Sequence, residues 1–335
     1  FTGAAIMAAG MMAGCGSDTK ETTAAPTTAA ETTKETAAET EKTTEAAGAE
    51  LSGSISMSGS TSMEKFGNAL AESFMEKYPD VTVTVEFTGS SAGVEAALSG
   101  ASDIGNSSRN LKDEEKSAGA VENIVAIDGI AVAVDPKNTV TDLTKDQLIS
   151  IYTGEVKNWS DLGGENMPIV VVGREAGSGT RGAFIELFGV EEKNEAGDKI
   201  DNTTDEAIIT NSTDVMLTTV SGDEYSIGYV SLGSLNDSVK AVSIDGAEAT
   251  VDNIKSGDYT IARPFNIATK GTPSDVVQDF INFIMSADGQ AVISDNKYIP
   301  VDDGAAAFES NGASGKVVVA GSSSVTPVME KLKEA

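Results

Sequence analysis

The sequence predicts an α/β fold on the strength of three observations. Short runs rich in valine and isoleucine alternate with segments of helical periodicity, which is typical of β-α-β units around a mostly parallel sheet. The 335 residues, 40% of them hydrophobic, suffice for a sizeable core. The chain has no histidine and one cysteine, which excludes Ser/His/Asp and Cys/His catalysis and disfavours zinc sites and structural disulfides. We therefore expect a folded protein without a metal or a cofactor.

Residues 1–15 form an apolar segment of small residues that is too short to span a bilayer and is typical of the tail of a signal peptide. The natural start is expected to lie upstream, because no charged region precedes the apolar run. The run Met-Ala-Gly-Cys at 12–15 is similar to a bacterial lipobox, in which the cysteine sulfur carries the lipid. We expect a signal-peptide remnant that ends at a lipidated Cys15; the alternative is a buried lone cysteine.

Residues 16–50 consist almost entirely of Thr, Ala, Glu and Lys, with too little apolar area to offset the entropy of ordering. We expect a disordered tether. As a flexible coil it would hold the body roughly 30 to 35 Å from its anchor.

From residue 51 onwards, strand and helix patterns alternate along the chain. The first helical pattern places Met63, Phe66, Leu70, Phe74 and Tyr78 on one stripe, the face expected to pack on the sheet. Valine- and isoleucine-rich runs predict strands at 54–58, 81–87, 103–105, 124–134, 169–172, 225–230, 241–244 and 261–267. Helical periodicity predicts helices at 63–78, 93–99, 145–152, 182–188, 213–221 and 273–286.

The end of the chain repeats the start of the body. The segment from Gly315 echoes the segment from Gly53, with a strand, a Gly/Ser-rich turn and a helix start in the same order. We interpret residues 313–335 as the start of a truncated repeat domain, with a linker at 304–314. The alternative is that these residues add a strand to the first domain.

Three segments share a strand, a turn rich in Gly, Ser and Thr, and then a helix: 58–62, 88–93 and 175–180. The first N–H groups of a helix lack internal partners and carry partial positive charge, so a tetrahedral oxyanion fits there. Arg174 directly precedes the third turn and can contact the same anion in a bidentate manner, unless it only forms a salt bridge with Glu175. Arg109 follows another expected strand, and its pattern fits a ligand-facing or a solvated side chain equally well.

Two catalytic motifs match by letter. Ser91 lies in a G-x-S-x-G pattern, and Ser62 with Lys65 fits S-x-x-K. The chain has no histidine to serve as the usual base, and the partner motifs of the S-x-x-K enzymes are missing. A serine hydrolase remains the alternative from another functional class, but both motifs are interpreted as helix caps. A net charge of −29 also argues against nucleic acid as a partner.

A series of short motifs runs along residues 51–303. They are Gly-Ser-Thr at 59–61, Gly-Ser-Ser at 89–91, Asp-Ile-Gly at 103–105, Ser-Ser-Arg at 107–109, Ile-Tyr-Thr-Gly-Glu-Val-Lys-Asn-Trp at 151–159, Arg-Glu-Ala-Gly-Ser-Gly-Thr at 174–180, Ile-Gly-Tyr-Val at 227–230 and Arg-Pro-Phe at 263–265. In kind and in order these motifs resemble those of the phosphate-binding proteins of bacterial ABC importers. The resemblance places phosphate contacts on Thr61, Ser90, Arg174, Ser178, Gly179 and Thr180. Ser62, Ser108 and Arg109 complete the expected ligand-binding set.

The resemblance implies a periplasmic-binding-protein fold of type II, with two α/β lobes, a hinge and a ligand cleft. The phosphate-binding domain would span 51–312, with lobe one at about 51–130 and 266–312 and lobe two at about 131–265. The implied function is that of a lipoprotein, not an enzyme, on the extracytoplasmic face of the cell membrane. It would capture inorganic phosphate and deliver it to permease subunits that work with a separate ATPase.

One position departs from the family pattern. Some members carry an aspartate that accepts a hydrogen bond from protonated phosphate and so rejects sulfate, and Ser108 occupies that position here. A serine oxygen can accept a hydrogen bond but does not repel a fully ionised sulfate. Another tetrahedral oxyanion, such as sulfate or arsenate, therefore remains the alternative ligand.

Overall fold

The structure is a computed structural model that describes residues 51–312. The signal-peptide remnant, the tether and the truncated repeat lie outside the described residues. No helix within 51–312 is long and apolar enough to cross a membrane.

Helices and strands alternate along the described chain. The helices are α1 Glu64–Lys77, α2 Ser90–Ser99, α3 Asp113–Ser117, α4 Lys145–Tyr152, α5 Gly179–Phe188, α6 Thr213–Ser221, α7 Val251–Ser256, α8 Asp275–Met285 and α9 Ala287–Asp295. The strands are β1 Gly53–Gly59, β2 Val81–Phe87, β3 Ile104–Ser107, β4 Ala120–Val134, β5 Asp142–Leu143, β6 Val170–Arg174, β7 Glu191–Lys193, β8 Lys199–Asp201, β9 Ile208–Thr210, β10 Ser226–Ser231, β11 Lys240–Ile244, β12 Ala262–Lys270 and β13 Ile299–Pro300. The mixture of helices and strands confirms the predicted α/β class.

The main sheet has the order β2-β1-β3-β12-β4-β10-β6-β9. The expectation of a mostly parallel sheet is wrong. The flanking strands β1, β2 and β3 pair in parallel, as do β10, β6 and β9, but the central strands β4 and β12 run antiparallel to each other and to β3 and β10. Both central strands extend through the middle of the sheet, and their directions could not be inferred from β-α-β alternation.

The two larger hydrophobic cores of the described residues lie on either side of a short boundary in these central strands, formed by residues 127–129 of β4 and 262–264 of β12. One core draws on residues between 51 and 126 and between 265 and 308, and we call this part lobe one. The other draws on residues between 130 and 261, and we call it lobe two. The chain crosses between the two cores on β4 after Ala126 and on β12 after Ile261. The domain boundaries implied by the resemblance stay a prediction.

Aromatic side chains pack against one another in both cores. In lobe one, Phe74 of α1 contacts Phe280 and Phe283 of α8, with ring centroids 4.9 and 5.2 Å apart. In lobe two, the rings of Phe184 and Tyr229 stack at 3.9 Å. Truncation of such a buried phenylalanine to alanine typically costs about 3 to 5 kcal/mol. The predicted stripe on α1 is confirmed at four positions, since Met63, Phe66, Leu70 and Phe74 are at most 1% exposed, and Tyr78 packs on the same core.

Glycines seat α2 unusually close to the sheet. A Cβ atom at Gly93 of α2 would overlap the backbone of Gly59 on β1, and one at Gly105 of β3 would overlap the backbone of Gly93. A side chain at either position would push the helix away. This close approach fixes the first turn of α2 beside the ends of β1 and β3.

Several elements had no clear sequence signal. Both isoleucines of β9, Ile208 and Ile209, are about half exposed, so the short strand lacks an alternating pattern. Helix α9 follows α8 after one residue, Ser286, whose hydroxyl accepts a hydrogen bond from Gly289 N. The predicted helix at 273–286 is therefore shorter, as α8, because the chain turns at Ser286.

Candidate anion-binding site

Four chain segments meet where the two lobes face each other. They are the 3-10 turn Thr61–Met63 before α1 and the first turns of α2, α5 and α6. The polar residues that converge there are at most 5% exposed: Ser60, Thr61, Ser62, Ser90, Ser108, Arg174, Ser178, Thr180, Thr213 and Arg263. Helix N-termini and hydroxyl groups together form a surface rich in hydrogen-bond donors.

The lobes touch through side chains in this region. Arg174 Nη2 of lobe two donates to Thr61 Oγ1 of lobe one at 2.9 Å. Ser62 Oγ of lobe one is hydrogen-bonded to Thr180 Oγ1 of lobe two. The backbone also takes part, because Ser91 N donates to the carbonyl of Gly177 at 3.1 Å. Lobe two therefore lies against the Thr61–Met63 turn and the first turn of α2 in lobe one, through residues at and just before the start of its own helix α5.

Arg174 occupies the end of β6, and its side chain is 2% exposed. Its Nε and Nη2 atoms each lie 2.9 Å from a carboxylate oxygen of Glu175. The salt bridge considered from the sequence is therefore present, but the same guanidinium also reaches Thr61 across the lobes. Its backbone N–H donates to the hydroxyl of Tyr229 at 3.2 Å, which anchors the strand end on the core of lobe two.

Three serines of lobe one form a hydroxyl cluster. Ser60 Oγ donates to Ser108 Oγ at 2.7 Å, and Ser90 Oγ lies 3.3 Å from Ser108 Oγ. The backbone N–H of Ser108 donates to Ser90 Oγ at 3.1 Å. Ser108 is fully buried. Ser108, the residue that replaces the aspartate found in some family members, therefore lies among the hydroxyls of the turns.

The start of α5 contributes differently at each residue. Ser178 caps the helix, because its Oγ accepts a hydrogen bond from Arg181 N at 3.2 Å. Gly179 lies against the serine cluster, since a Cβ atom there would overlap the hydroxyls of Ser90 and Ser108. Thr180 points its hydroxyl toward Ser62. All three predicted residues of this turn therefore lie at the site, with a capping role for Ser178.

Arg109 lies at the margin of the site. Its guanidinium binds both carboxylate oxygens of Glu115, at 2.7 and 2.9 Å, and its Nη2 donates to Ser91 Oγ at 3.2 Å. Burial tends to raise the pKa of Glu115, but the hydrogen bonds from Arg109 and from Lys112 N outweigh it and hold this pKa below its usual range. Arg109 therefore links Ser91 of α2 to Glu115 of α3. Its predicted contact with a ligand stays a prediction.

Two further residues join the site without having been selected from the sequence. Thr213, the first residue of α6, places Oγ1 3.2 Å from Thr61 Oγ1. Arg263 of β12 donates from Nη1 to Thr180 Oγ1 at 2.8 Å. Arg263 belongs to the Arg-Pro-Phe motif, which was a visible signal. Thr213 follows a serine helix cap, and such a cap alone indicates no ligand.

The catalytic patterns have no supporting geometry. The partners of Ser62 Oγ are the hydroxyls of Thr180 and Thr213, whereas Lys65 Nζ lies 3.5 Å from the carbonyl of Gly233. Ser91 Oγ accepts its hydrogen bond from Arg109. Among residues 51–312, no group of three or more acidic or cysteine side chains is arranged to hold a metal ion.

The chemistry of this site suits a small oxyanion. Hydroxyls, first-turn N–H groups and a guanidinium all donate, and the helix ends add partial positive charge. The nearby carboxylates of Glu175 and Asp128 are each bound by an arginine. An anion held by such groups would contact both lobes.

Comparison with known proteins points to the same conclusion. The model of the PBP superfamily domain matches residues 26–288. Phosphate-binding protein PstS 2 of Streptococcus agalactiae is 64% identical over 168 residues, which are 50% of this chain and 57% of that protein. The match therefore spans little more than half the length of that relative. Phosphate-binding protein PstS of Bacillus subtilis is 34% identical over 267 residues, or 78% of this chain and 85% of that protein.

A solved structure has the same fold. It is the crystal structure of a putative phosphate ABC transporter substrate-binding protein with bound phosphate from Clostridium perfringens, with a TM-score of 0.70 and 42% identity. The similarity covers 74% of this chain and all of that one. The chain therefore belongs to the PBP superfamily and, within it, to the family of PstS phosphate-binding proteins.

Proposed function

We propose that this chain is a binding protein that captures inorganic phosphate between its two lobes and delivers it to the permease of an ABC importer. The observation that carries the proposal is the buried Arg174, which meets the hydroxyl-lined first turn of lobe one from the opposite lobe. An anion that contacts Arg174 and the helix starts of both lobes would stabilise their closure. The relatives named as phosphate-binding proteins support phosphate as the ligand.

Ligand identity can be tested by calorimetric titration of the purified chain with phosphate, sulfate and arsenate. We expect phosphate to bind and Arg174→Ala to abolish the binding heat, because the variant loses the guanidinium and leaves Glu175 unpaired. The matched control is Lys157→Gln, which removes an exposed ion pair with Glu206. No heat with phosphate, or equal heat from the Arg174→Ala variant, would refute the proposal.

Membrane attachment rests on the lipobox-like run before Cys15. We propose that Cys15 carries the lipid and that the body works on the extracytoplasmic face of the cell membrane. Metabolic labelling with an alkyne-bearing fatty acid tests this directly. Labelled chain in the wild type and its loss in Cys15→Ser would support the anchor, whereas equal labelling of both would contradict it.

The proposed role is transport, not catalysis. The energy for import would come from a separate ATPase. Neither candidate nucleophile contacts a general base, since Ser62 Oγ is bonded to the hydroxyls of Thr180 and Thr213 and Ser91 Oγ accepts from Arg109. A serine-reactive fluorophosphonate should leave the chain unlabelled. Stoichiometric labelling that is lost in Ser62→Ala or Ser91→Ala would instead support a serine hydrolase.

A further inference from the structure

An ion pair occupies the boundary between the lobes. Asp128 on β4 and Arg263 on β12 are directly opposite each other in the antiparallel register. On β4, Asp128 lies between Ala126 of the lobe-one core and Ile130 of the lobe-two core. On the other strand, Arg263 lies between Ile261 of the lobe-two core and Phe265 of the lobe-one core. Both residues therefore lie where the two connecting strands would bend when the lobes move.

The pair is buried and firmly held. Arg263 Nη2 lies 2.9 Å from Asp128 Oδ2, and the two side chains are 2% and 0% exposed. Ser231 Oγ donates to the other carboxylate oxygen at 2.8 Å. A guanidinium that binds a carboxylate along one edge has its remaining nitrogen fixed in direction, because the group is planar.

That remaining nitrogen reaches both sides of the site. Arg263 Nη1 donates to the carbonyl of Ser108 in lobe one at 3.0 Å and to Thr180 Oγ1 in lobe two at 2.8 Å. A threonine hydroxyl has one hydrogen to donate. With Arg263 as a donor to its oxygen, the hydroxyl of Thr180 is left to donate its hydrogen to Ser62 or to an anion.

The two acceptors of Nη1 belong to bodies that separate when the lobes open. Ser108 follows β3 in lobe one, and Thr180 lies in the first turn of α5 in lobe two. Only a closed arrangement brings both within reach of one nitrogen. A salt bridge between Asp128 and Arg263 that served folding alone would not require Nη1 to contact Ser108 and Thr180 as well.

We propose that Arg263, oriented by Asp128, is a positioning residue that couples phosphate capture to lobe closure by fixing Thr180 as a hydrogen-bond donor in the closed site. The inference rests on the proposed function. Arg263 acts through Thr180 and does not itself contact the ligand.

A variant cycle tests this coupling by phosphate titration. The first arm is the double substitution Asp128→Asn with Arg263→Gln, which leaves no unpaired charge in the hinge. The second arm is Thr180→Val, and the third combines all three substitutions. Each of the first two should weaken phosphate binding about tenfold or more, and the combination should weaken it no more than about threefold beyond Thr180→Val alone.

A second measurement follows closure itself by small-angle X-ray scattering with and without saturating phosphate. The wild type and the control Lys157→Gln should become more compact with phosphate. The Asp128→Asn, Arg263→Gln variant should show a smaller decrease in its radius of gyration with phosphate than wild type. If Arg263 acted only by binding phosphate directly, the variant would still become as compact as wild type once phosphate saturates it.

The outcomes separate the two claims. If wild-type protein fails to bind phosphate, the proposed function fails and the inference falls with it. Two outcomes with phosphate-binding wild type would overturn only the inference. In the first, the affinity losses of the double variant Asp128→Asn, Arg263→Gln (the hinge variant) and of Thr180→Val multiply in the triple variant. In the second, the hinge variant becomes as compact as wild type with phosphate. Should the hinge variant not fold, Arg263→Lys replaces it, because a lysine keeps the charge beside Asp128 but cannot reach Thr180 at the same time. Unchanged affinity and compaction in Arg263→Lys would equally overturn the inference.

Discussion

Arg174 Nη2 lies 2.9 Å from Thr61 Oγ1, and this hydrogen bond joins residues 113 positions apart in the sequence. The arginine ends β6 in lobe two, whereas the threonine begins the first helical turn of lobe one. The Nε and Nη2 atoms of the same guanidinium each donate to a carboxylate oxygen of Glu175. The planar group therefore has a fixed orientation toward the opposite lobe.

Replacement of this arginine by lysine should weaken phosphate binding even though the charge is kept. A single ammonium cannot hold Glu175 and face Thr61 with the same geometry, so we expect a loss of about 2 kcal/mol or more. Calorimetric titration measures the change, with Lys157→Gln as the control. Affinity equal to wild type in Arg174→Lys would show that the bidentate geometry is not needed.

Gly179 should be intolerant of a single added methyl group. In Gly179→Ala, the Cβ atom would overlap the hydroxyls of Ser90 and Ser108 and hold the lobes apart. We expect phosphate affinity to fall at least about tenfold, or about 1.4 kcal/mol. The control lies in the same helix: a Cβ atom at Gly182 meets its nearest neighbour, Arg109 Cδ, at an ordinary 3.7 Å. Equal affinities of Gly179→Ala and Gly182→Ala would contradict the close approach.

Thr213 should contribute to phosphate binding through its hydroxyl. Its Oγ1 lies 3.2 Å from Thr61 Oγ1 and 3.5 Å from Ser62 Oγ. We expect Thr213→Val to cost about 1 kcal/mol of binding free energy, because the shape is kept and a hydrogen-bonding group is lost. Thr213→Ser, which retains the hydroxyl, should stay near wild type. If the two variants bind alike, the hydroxyl has no role in binding.

Ser108 should control the choice between phosphate and sulfate. A carboxylate in Ser108→Asp would accept a hydrogen bond from protonated phosphate and repel fully ionised sulfate. We expect the ratio of phosphate to sulfate affinity to rise by about tenfold or more, which is 1.4 kcal/mol. Ser108→Asn is a control of similar size without the charge. An unchanged ratio in Ser108→Asp would refute this interpretation of the position.

The Arg109–Glu115 pair should make stability depend on pH. Its hydrogen bonds hold the pKa of Glu115 below its ordinary value of 4.5 in the folded state. A lowered pKa means that the stabilisation is present above pH 4.5 and is lost as the pH falls through the folded-state pKa. At pH 7, Glu115→Gln should therefore lower the free energy of unfolding by about 1 kcal/mol.

Thermal unfolding of Glu115→Gln and wild type across pH 3 to 7 provides the check. The Tm difference should be about 2 to 4 °C near neutral pH and should shrink as the pH falls below about 4.5. Glu114→Gln is the control, because Glu114 is exposed and only loosely paired with Lys112 at 3.3 Å. A difference that is constant with pH would show that Glu115 acts by packing and not by charge.

Much of the site could be predicted because its signals are local. A Gly/Ser/Thr turn between a strand and a helix is written in consecutive residues, and Ser90, Gly179 and Thr180 lie at the site as that pattern indicated. Arg109 and Arg263 could not be ranked in this way. Arg109 follows β3 and Arg263 lies near the start of β12, and only their ion pairs with Glu115 and Asp128 fix where each guanidinium points.

The sequence alone determined the α/β class, the three turns rich in Gly, Ser and Thr, and the family, because each depends on short-range periodicity or on motifs. The tertiary structure decided the directions of β4 and β12, the position of the Asp128–Arg263 pair and the meeting of Thr61, Thr213 and Arg174. These contacts join residues that are more than 100 positions apart. Such pairings arise from the register of the sheet and the packing of the two lobes, which no local pattern encodes.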